Sequence, residues 1–331
     1  MNAFEYASPQ TEAEAVELLN EHPGETAILA GGTDLVSLMK RDVLAPRRVV
    51  DIKNVPTWNG VTAADGGVLI GALTTLEDVL ESPLLADHKT LHHVIDGIRA
   101  IQVQSNGTIG GDLCLLPHCW YFRSGYGLLA LENGKSLVEL GDNRHHAIFG
   151  NSGPAKFVSA SRFAPGLIAL GAKVRLIGPK QDQQQMIPLE SFFRTPKTEK
   201  QGVTVLKPGQ MISHIWVPNV NQQANATYEV LQMEGLDWPI ASAAASLTIV
   251  AGLVHEATIV LGHVAPTPWI AQAAANSLIG KPVNPQTAEQ AGELAVADAT
   301  PLSQNEYKVH IAKTAVTRVL LRATGQPEGG L

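Results

Sequence analysis

Cysteine is scarce in this chain, which has only Cys114 and Cys119 among its 331 residues. A disulfide-stapled domain needs a larger set of cysteines, and a metal site made of four thiolates needs four. We therefore expect neither a disulfide framework nor a four-thiolate site built by this chain alone. No metal-binding residue is predicted.

Long basic runs and long apolar runs are also missing. The formal charge is −7 at pH 7, and an acidic chain without a basic surface is not expected to bind nucleic acid. The stretch of lowest polarity, Ile240 to Val254, has 15 residues and is too short to cross a bilayer comfortably. Because the N-terminus lacks the features of a secretory signal, we expect a cytoplasmic protein that does not enter membranes and leaves the cell only within a folded complex.

The common nucleotide-binding signatures are absent. No Gly-x-Gly-x-x-Gly occurs, and Gly134-Lys135-Ser136 is not a phosphate loop because Leu129 stands where that loop requires glycine. His92-His93 and His145-His146 are adjacent pairs whose side chains diverge. We expect surface or hydrogen-bonded histidines there rather than metal ligands.

Two glycine turns are the most informative motifs present. The apolar run Thr26 to Ala30 breaks at Gly31-Gly32, and helical spacing resumes at Leu35. Such a turn lets main-chain N–H groups approach a pyrophosphate. The segment Asn106 to Asp112, Asn-Gly-Thr-Ile-Gly-Gly-Asp, offers a second wall for an extended dinucleotide. The alternative is that both are simply tight turns, with Thr33 and Asp34 placed to cap the helix that follows the first of them.

The remaining pattern predicts three lobes. The segment 1–55 reads as a small α/β lobe with a parallel strand pair, and Thr11 with Glu14 marks its first helix. The middle lobe contains an irregular insertion over 115–157, and an Asn/Gln-rich linker over 219–225 precedes the last lobe. Trp238 and Trp269 are expected in the core. Predicted strands lie at 26–30, 48–52, 68–74, 169–177, 209–218 and 257–261, and predicted helices at 11–20, 269–278, 288–296 and 307–324.

Together the two glycine turns resemble the split flavin site of the FAD-binding (medium) subunit of the xanthine dehydrogenase, or molybdenum hydroxylase, family. Carbon monoxide dehydrogenases and hydroxybenzoyl-CoA reductases belong to this family. The resemblance covers almost the whole chain. It continues through Ala164-Pro165, Leu167 to Ala172, Asp237-Trp238-Pro239, Val264-Ala265-Pro266 and Asn305 to Val309.

The resemblance implies an α+β fold of the PCMH type with bound FAD. It implies an N-terminal α/β lobe over 1–56, a mixed middle lobe over 57–218 and a C-terminal lobe of antiparallel strands and helices over 219–331. The implied cofactor-binding positions are Leu29, Ala30, Gly31, Gly32, Thr33, Asp34, Leu35, Ile98, Thr108, Ile109, Gly110, Gly111, Asp112 and Arg162.

The resemblance also implies a place in a three-subunit oxidoreductase complex. One partner is a small subunit with [2Fe-2S] clusters, and the other is a large subunit whose molybdopterin oxidises an aldehyde, a heteroaromatic compound or a similar substrate. FAD passes the electrons to an external acceptor. This chain is expected to supply no catalytic acid or base.

Some positions depart from the family pattern. The segments Cys119 to Arg123 and Gly141 to Arg144 resemble the borders of a loop that holds a [4Fe-4S] cluster in some relatives, but the intervening cysteines are missing, so that cluster is expected to be absent. Arg162 stands at a flavin-contacting acid, and Leu231 and Met233 replace basic residues. The alternative is therefore a scaffold subunit that binds flavin weakly or not at all.

Overall fold

A computed structural model describes residues 1–180, 182–221, 223–233 and 237–328. Gln222, within the predicted linker, lies outside these residues. The described chain has an α+β architecture, in which three main sheets follow one another along the sequence. Within this part of the chain, no helix is long and apolar enough to cross a membrane.

The N-terminal sheet has three parallel strands, two of which form the predicted pair. The first strand, Glu5–Ala7, was not predicted. Thr11 caps the first helix as predicted, because its hydroxyl accepts from the N–H of Glu14 at 3.2 Å. The strand order is Glu5–Ala7, Arg48–Asp51 and Thr26–Leu29, and the helices are Glu12–Glu21 and Leu35–Lys40.

The middle sheet has five antiparallel strands with helices packed against it. Of the predicted strand 169–177 only Lys173–Ile177 is a strand. The residues before it belong to the end of the helix Ala164–Ala169 and to the turn that follows this helix. The strand order is Val61–Ala64, Gly67–Gly71, Met211–Pro218, Lys173–Ile177 and Gln184–Pro188. The helices are Leu76–Glu81, Lys89–Gly97, Ile101–Asn106, Ile109–Leu113 and Ala164–Ala169, with short 3-10 turns at Ile52–Asn54, Pro56–Trp58, Pro83–Leu85 and Leu189–Ser191.

The N-terminal helix shares its core with the middle sheet. Its buried residues Ala15, Val16 and Leu19 belong to one apolar cluster with Trp58 and Met211. This cluster joins side chains from both sides of residue 56, so the first two lobes are packed together. The lobe boundaries themselves stay a prediction.

The C-terminal sheet is antiparallel and is rich in alanine. Its first strand occupies Gln223–Val230, so the linker prediction is wrong from residue 223 onward, because pairing with Ala241–Val250 outweighs the local preference of Asn and Gln for loops. The predicted helix start at Trp269 is also wrong, because Trp269–Ile270 is a short strand. The remaining strand is Leu253–Gly262, and the helices are Gln272–Leu278, Pro285–Ala295 and Tyr307–Ala323.

The insertion over 115–157 contains short regular elements and a small apolar cluster formed by Leu129, Ala155 and Phe157. The elements are the helices Trp120–Arg123 and Leu137–Leu140 and the hairpin of Leu131–Glu132 with Lys135–Ser136. The insertion is therefore more regular than its sequence predicts.

Lys308 holds the insertion against the C-terminal lobe. Its ammonium donates to the main-chain oxygens of His145 at 3.2 Å, His146 at 3.0 Å and His263 at 2.9 Å, and the residue is 1% exposed. Burial lowers the pKa of Lys308 to about 7. Nearby, the Asn305 amide donates to the same His146 oxygen at 3.0 Å. The position of the insertion thus depends on polar bonds from the C-terminal helix.

We expect Lys308→Met to lower the free energy of unfolding by about 2–4 kcal/mol, because it leaves buried carbonyl oxygens without donors. Chemical denaturation followed by circular dichroism measures this change. Lys313→Met is the matched control on the same helix, since Lys313 forms partly exposed ion pairs with Glu289 and Glu293. The control should change stability by less than about 1 kcal/mol. Equal effects of the two substitutions would show that the buried hydrogen bonds of Lys308 do not stabilise the fold.

Candidate functional site

A cleft of about 340 Å³ brings the two glycine turns together. Residues of both turns line it, as do residues from the insertion and the C-terminal lobe. The predicted positions that line the cleft are Ala30, Gly31, Gly32, Thr33, Asp34, Leu35, Ile98, Thr108, Gly110, Gly111, Asp112 and Arg162. The two motifs, which lie about 75 residues apart in the sequence, therefore form one site in the structure.

Gly31 is the point where the two turns meet. A Cβ atom at Gly31 would lie 1.9 Å from the main-chain oxygen of Asn106 and 3.1 Å from the Cα of Gly107. Since no side chain fits this space, only glycine permits the approach. Gly32 has a φ of +71°, which also favours glycine. The first motif thus contains glycine for two different physical reasons.

The second turn is held by its own cap and by the middle sheet. The Thr108 hydroxyl accepts from the N–H of Gly111 at 3.1 Å. The N–H of Gly110 donates to the Ala72 oxygen at 2.9 Å, and a Cβ at Gly110 would lie 2.7 Å from the Ala72 Cβ. The turn is therefore pressed against the end of the strand Gly67–Gly71.

Asp34 in the first turn forms a salt bridge with the insertion. Its carboxylate accepts from Arg123 Nη1 at 2.6 Å and from Nη2 at 3.2 Å, and it makes no capping bond to the helix Leu35–Lys40. The alternative that Asp34 caps this helix is therefore wrong. Arg123 also donates to the main-chain oxygens of Leu116 and Pro117. The insertion is in this way fixed to the first glycine turn.

Asp112 fixes the second turn to the segment 161–163. Its carboxylate accepts from the Ser161 hydroxyl and, at 3.2 Å in both cases, from the N–H groups of Arg162 and Phe163. Burial of the carboxylate raises the pKa of Asp112 to about 6, against the opposing effect of these donors. Asp112 thereby positions the backbone of Arg162 at the cleft.

Arg162 forms a buried ion pair with Glu229. Its Nε donates to the Glu229 carboxylate at 3.0 Å and its Nη2 donates to the other oxygen, and the two side chains are 8% and 5% exposed. The charge that departs from the family pattern at Arg162 is thus balanced within this chain. Sequence reasoning missed Glu229, because nothing in the sequence links positions 67 residues apart.

His118 and Trp238 form an aromatic stack in the cleft wall. Their ring centroids are 3.8 Å apart with planes inclined by 31°, and Trp238 is 39% exposed. The expectation that Trp238 lies in the core is therefore wrong, whereas Trp269 stacks on the buried ring of Phe149. Burial lowers the pKa of His118 to about 4, so its imidazole is neutral at pH 7.

Two predicted positions do not line the cleft. Ile109 is fully buried in the middle core, and Leu29 lies behind the first turn, where its Cδ1 is 3.0 Å from a Cβ placed at Gly32. Leu231 and Met233 are also outside the lining, and Met233 is 62% exposed. Over the described ranges, no three His, Cys, Asp or Glu side chains are grouped so that they could hold a metal ion.

Two protein families match this chain. The FAD binding domain in molybdopterin dehydrogenase matches residues 2–220, and the CO dehydrogenase flavoprotein C-terminal domain matches residues 226–323.

Individual relatives match over nearly their full length. The carbon monoxide dehydrogenase medium chain of Hydrogenophaga pseudoflava is 27% identical over 96% of both chains. The aldehyde oxidoreductase FAD-binding subunit PaoB of Escherichia coli is 27% identical over 98% of this chain and all of the relative. A solved structure of the Hydrogenophaga pseudoflava carbon monoxide dehydrogenase, lacking the Mo-pyranopterin moiety of its cofactor, has a TM-score of 0.76 at 26% identity over 98% of both chains.

We expect Gly31→Ala to lower the free energy of unfolding by about 2–4 kcal/mol, because its methyl group would force the two turns apart. Denaturation of the cofactor-free chain measures this effect. Gly153→Ala is the control, since a Cβ there meets nothing within 4 Å, and its effect should stay within about 1 kcal/mol. If Gly31→Ala is as stable as the control, the contact between the turns is not required.

Proposed function

This chain belongs to the family of FAD-binding medium subunits of molybdopterin dehydrogenases, and from this premise we propose that it is the electron-transfer subunit of a molybdenum hydroxylase complex. It has the α+β fold of that family and is an oxidoreductase subunit. When bound, FAD can accept electrons singly and release them singly or in pairs. In this proposal the electrons come from [2Fe-2S] clusters of a partner and leave to an external acceptor.

The direct approach of the two glycine turns is the observation that carries this proposal. An extended dinucleotide needs main chain that can approach its diphosphate closely, and Gly31, Gly32, Gly110 and Gly111 from the two turns all line the same cleft. Glycine at these positions lets the backbone come close to a ligand. The residues present therefore fit an FAD diphosphate.

The polar side chains around the cleft fit binding better than proton transfer. The carboxylates of Asp34 and Asp112 and the guanidinium of Arg162 are each engaged with a protein partner, and the imidazole of His118 is neutral. These residues shape the cleft and orient a bound ligand. We propose accordingly that this chain supplies no catalytic acid or base, and that the substrate is oxidised in another subunit.

We propose two partners for the complex, a small subunit with [2Fe-2S] clusters and a large subunit with molybdopterin. The relatives are named as medium chains and as FAD-binding subunits, which are names for parts of larger assemblies.

The alternative function is that of a scaffold subunit with weak or no flavin binding. Arg162 is the residue that favours this alternative, because it stands where the family pattern has a flavin-contacting acid.

Reconstitution with FAD tests the flavin assignment. We expect the purified chain to retain FAD through gel filtration and to show absorbance bands at about 370 and about 450 nm, as bound oxidised flavin does. Gly31→Ala should lose at least about tenfold in FAD affinity, because the diphosphate site opens, whereas Gly153→Ala should bind as the wild type does. A wild-type chain without these bands after reconstitution would favour the scaffold alternative.

Native co-purification tests the partner assignment. We expect two further polypeptides to elute with this chain, together with molybdenum and with iron in excess of what one cluster contains. The measurement combines metal analysis by mass spectrometry with identification of the polypeptides. A chain that elutes alone, or whose partners carry neither metal, would contradict membership of a molybdenum hydroxylase complex.

A further inference from the structure

A buried arginine in the cleft wall requires a fixed counter-charge. Arg162 lines the cleft with its side chain 8% exposed, and a guanidinium in such a place is costly unless it is paired. The Glu229 side chain is 5% exposed, and its carboxylate accepts hydrogen bonds from Nε and Nη2 of the guanidinium. This side-on pairing fixes the plane of the guanidinium and leaves Nη1 as the nitrogen that is not bonded to Glu229.

The surrounding backbone is arranged to accommodate this pair. The N–H of Arg162 donates to Asp112, which directly follows Gly110-Gly111. Gly97, the last residue of the helix Lys89–Gly97, lies against the pair, since a Cβ there would be 2.8 Å from both Arg162 Nη2 and a Glu229 carboxylate oxygen. The position of the guanidinium is therefore fixed relative to the second glycine turn.

Other nearby charges are balanced separately. Burial raises the pKa of Glu229, and the positive charges of Arg162 and, after it, Arg322 oppose this effect. However, Arg322 is paired with a different carboxylate, because its Nε and Nη2 donate to Glu328. Neither Arg322 nor Glu328 lines the cleft. Arg162 is thus the cation of this group that faces the ligand space.

The proposed function requires a flavin ring close to the protein surface, because electrons must pass from it to an external acceptor. Arg162, His118 and Trp238 all line the cleft, and His118 stacks on Trp238 with the ring centroids 3.8 Å apart. Since Trp238 is 39% exposed, the cleft reaches the surface at this stack, where an external acceptor can approach. The aliphatic lining from Ile28, Ile52 and Met211 belongs to the N-terminal side.

We propose that Glu229 is a positioning residue that holds Arg162 beside the flavin ring and partly neutralises its charge, so that this pair sets the reduction potential of the flavin. This inference rests on the proposed function. A positive charge beside the ring favours the reduced form, because reduction adds negative charge to the ring. The carboxylate of Glu229 opposes that effect from the far side of the guanidinium. Losing the carboxylate should therefore raise the potential.

The test compares midpoint potentials of the FAD-loaded full chain, measured by spectroscopic titration against redox dyes. Glu229→Gln keeps the shape of the side chain and removes its charge. We expect it to favour reduction at least about tenfold, which is about 30 mV for a two-electron couple. Arg162→Gln should shift the potential in the opposite direction, and Arg162→Gln/Glu229→Gln should give a potential between those of Arg162→Gln and the wild type.

Two controls separate charge from structure. Glu229→Asp keeps the charge and should leave the potential closer to wild type than Glu229→Gln does. Asp142→Asn removes one carboxylate from a side-on pair with Arg144 at the surface, outside the cleft, and should have no effect. If Glu229→Gln does not fold, the uncharged double variant takes its place, and its potential must lie below that of the wild type.

The inference and the proposed function fail in different ways. A wild-type chain that takes up no FAD overturns both. A chain that binds FAD normally, with one potential shared by the wild type, Glu229→Gln and Arg162→Gln, overturns the inference and leaves the flavoprotein assignment intact. The same holds if Glu229→Gln lowers the potential or if Asp142→Asn shifts it equally.

Discussion

The close approach of two main chains at Gly31 is the constraint on which the site depends. With the Asn106 oxygen 1.9 Å from where a Cβ would lie, the first turn can reach the second only without a side chain. This contact converts two ordinary glycine turns into a single cleft. The first turn follows the strand Thr26–Leu29, and the second is fixed to the end of the strand Gly67–Gly71. The cleft is therefore a property of how two sheets meet and not of either sheet alone.

Charged side chains join the other parts of the molecule to this contact. Asp34 forms a salt bridge with Arg123 of the insertion. Asp112 accepts a hydrogen bond from the main-chain N–H of Arg162, and the Arg162 side chain pairs with Glu229 in the C-terminal sheet. Each carboxylate satisfies donors that would otherwise be buried without acceptors. As a result, the cleft is enclosed by segments from all three sheets and the insertion, and the position of each wall is set by a partner far away in sequence.

Local signals were enough to predict much of the fold and both glycine motifs. The cap at Thr11 depends on residues close together in the chain, and the structure confirms it. Partnerships between distant residues could not be predicted in this way. Glu229 pairs with Arg162 because the fold buries the two side chains side by side. Trp238 lies outside the core because it stacks on His118 at the cleft. Both outcomes depend on tertiary packing, which local propensity does not encode.

The insertion shows how a segment can be positioned by polar bonds from a neighbouring lobe. Lys308 donates to a main-chain oxygen of the insertion at His145 and to one of the C-terminal lobe at His263, and Asn143 binds Ser303 and the N–H of Gln304. The helix Trp120–Arg123 is bonded to this stretch, since the Trp120 indole N–H donates to the Asp142 oxygen at 3.2 Å, and Arg123 in turn holds Asp34 in the first glycine turn. The geometry of the cleft therefore depends on the C-terminal helix, although no residue of that helix lines it. A substitution at Lys308 would thus reach the first turn through these successive hydrogen bonds rather than through the apolar core.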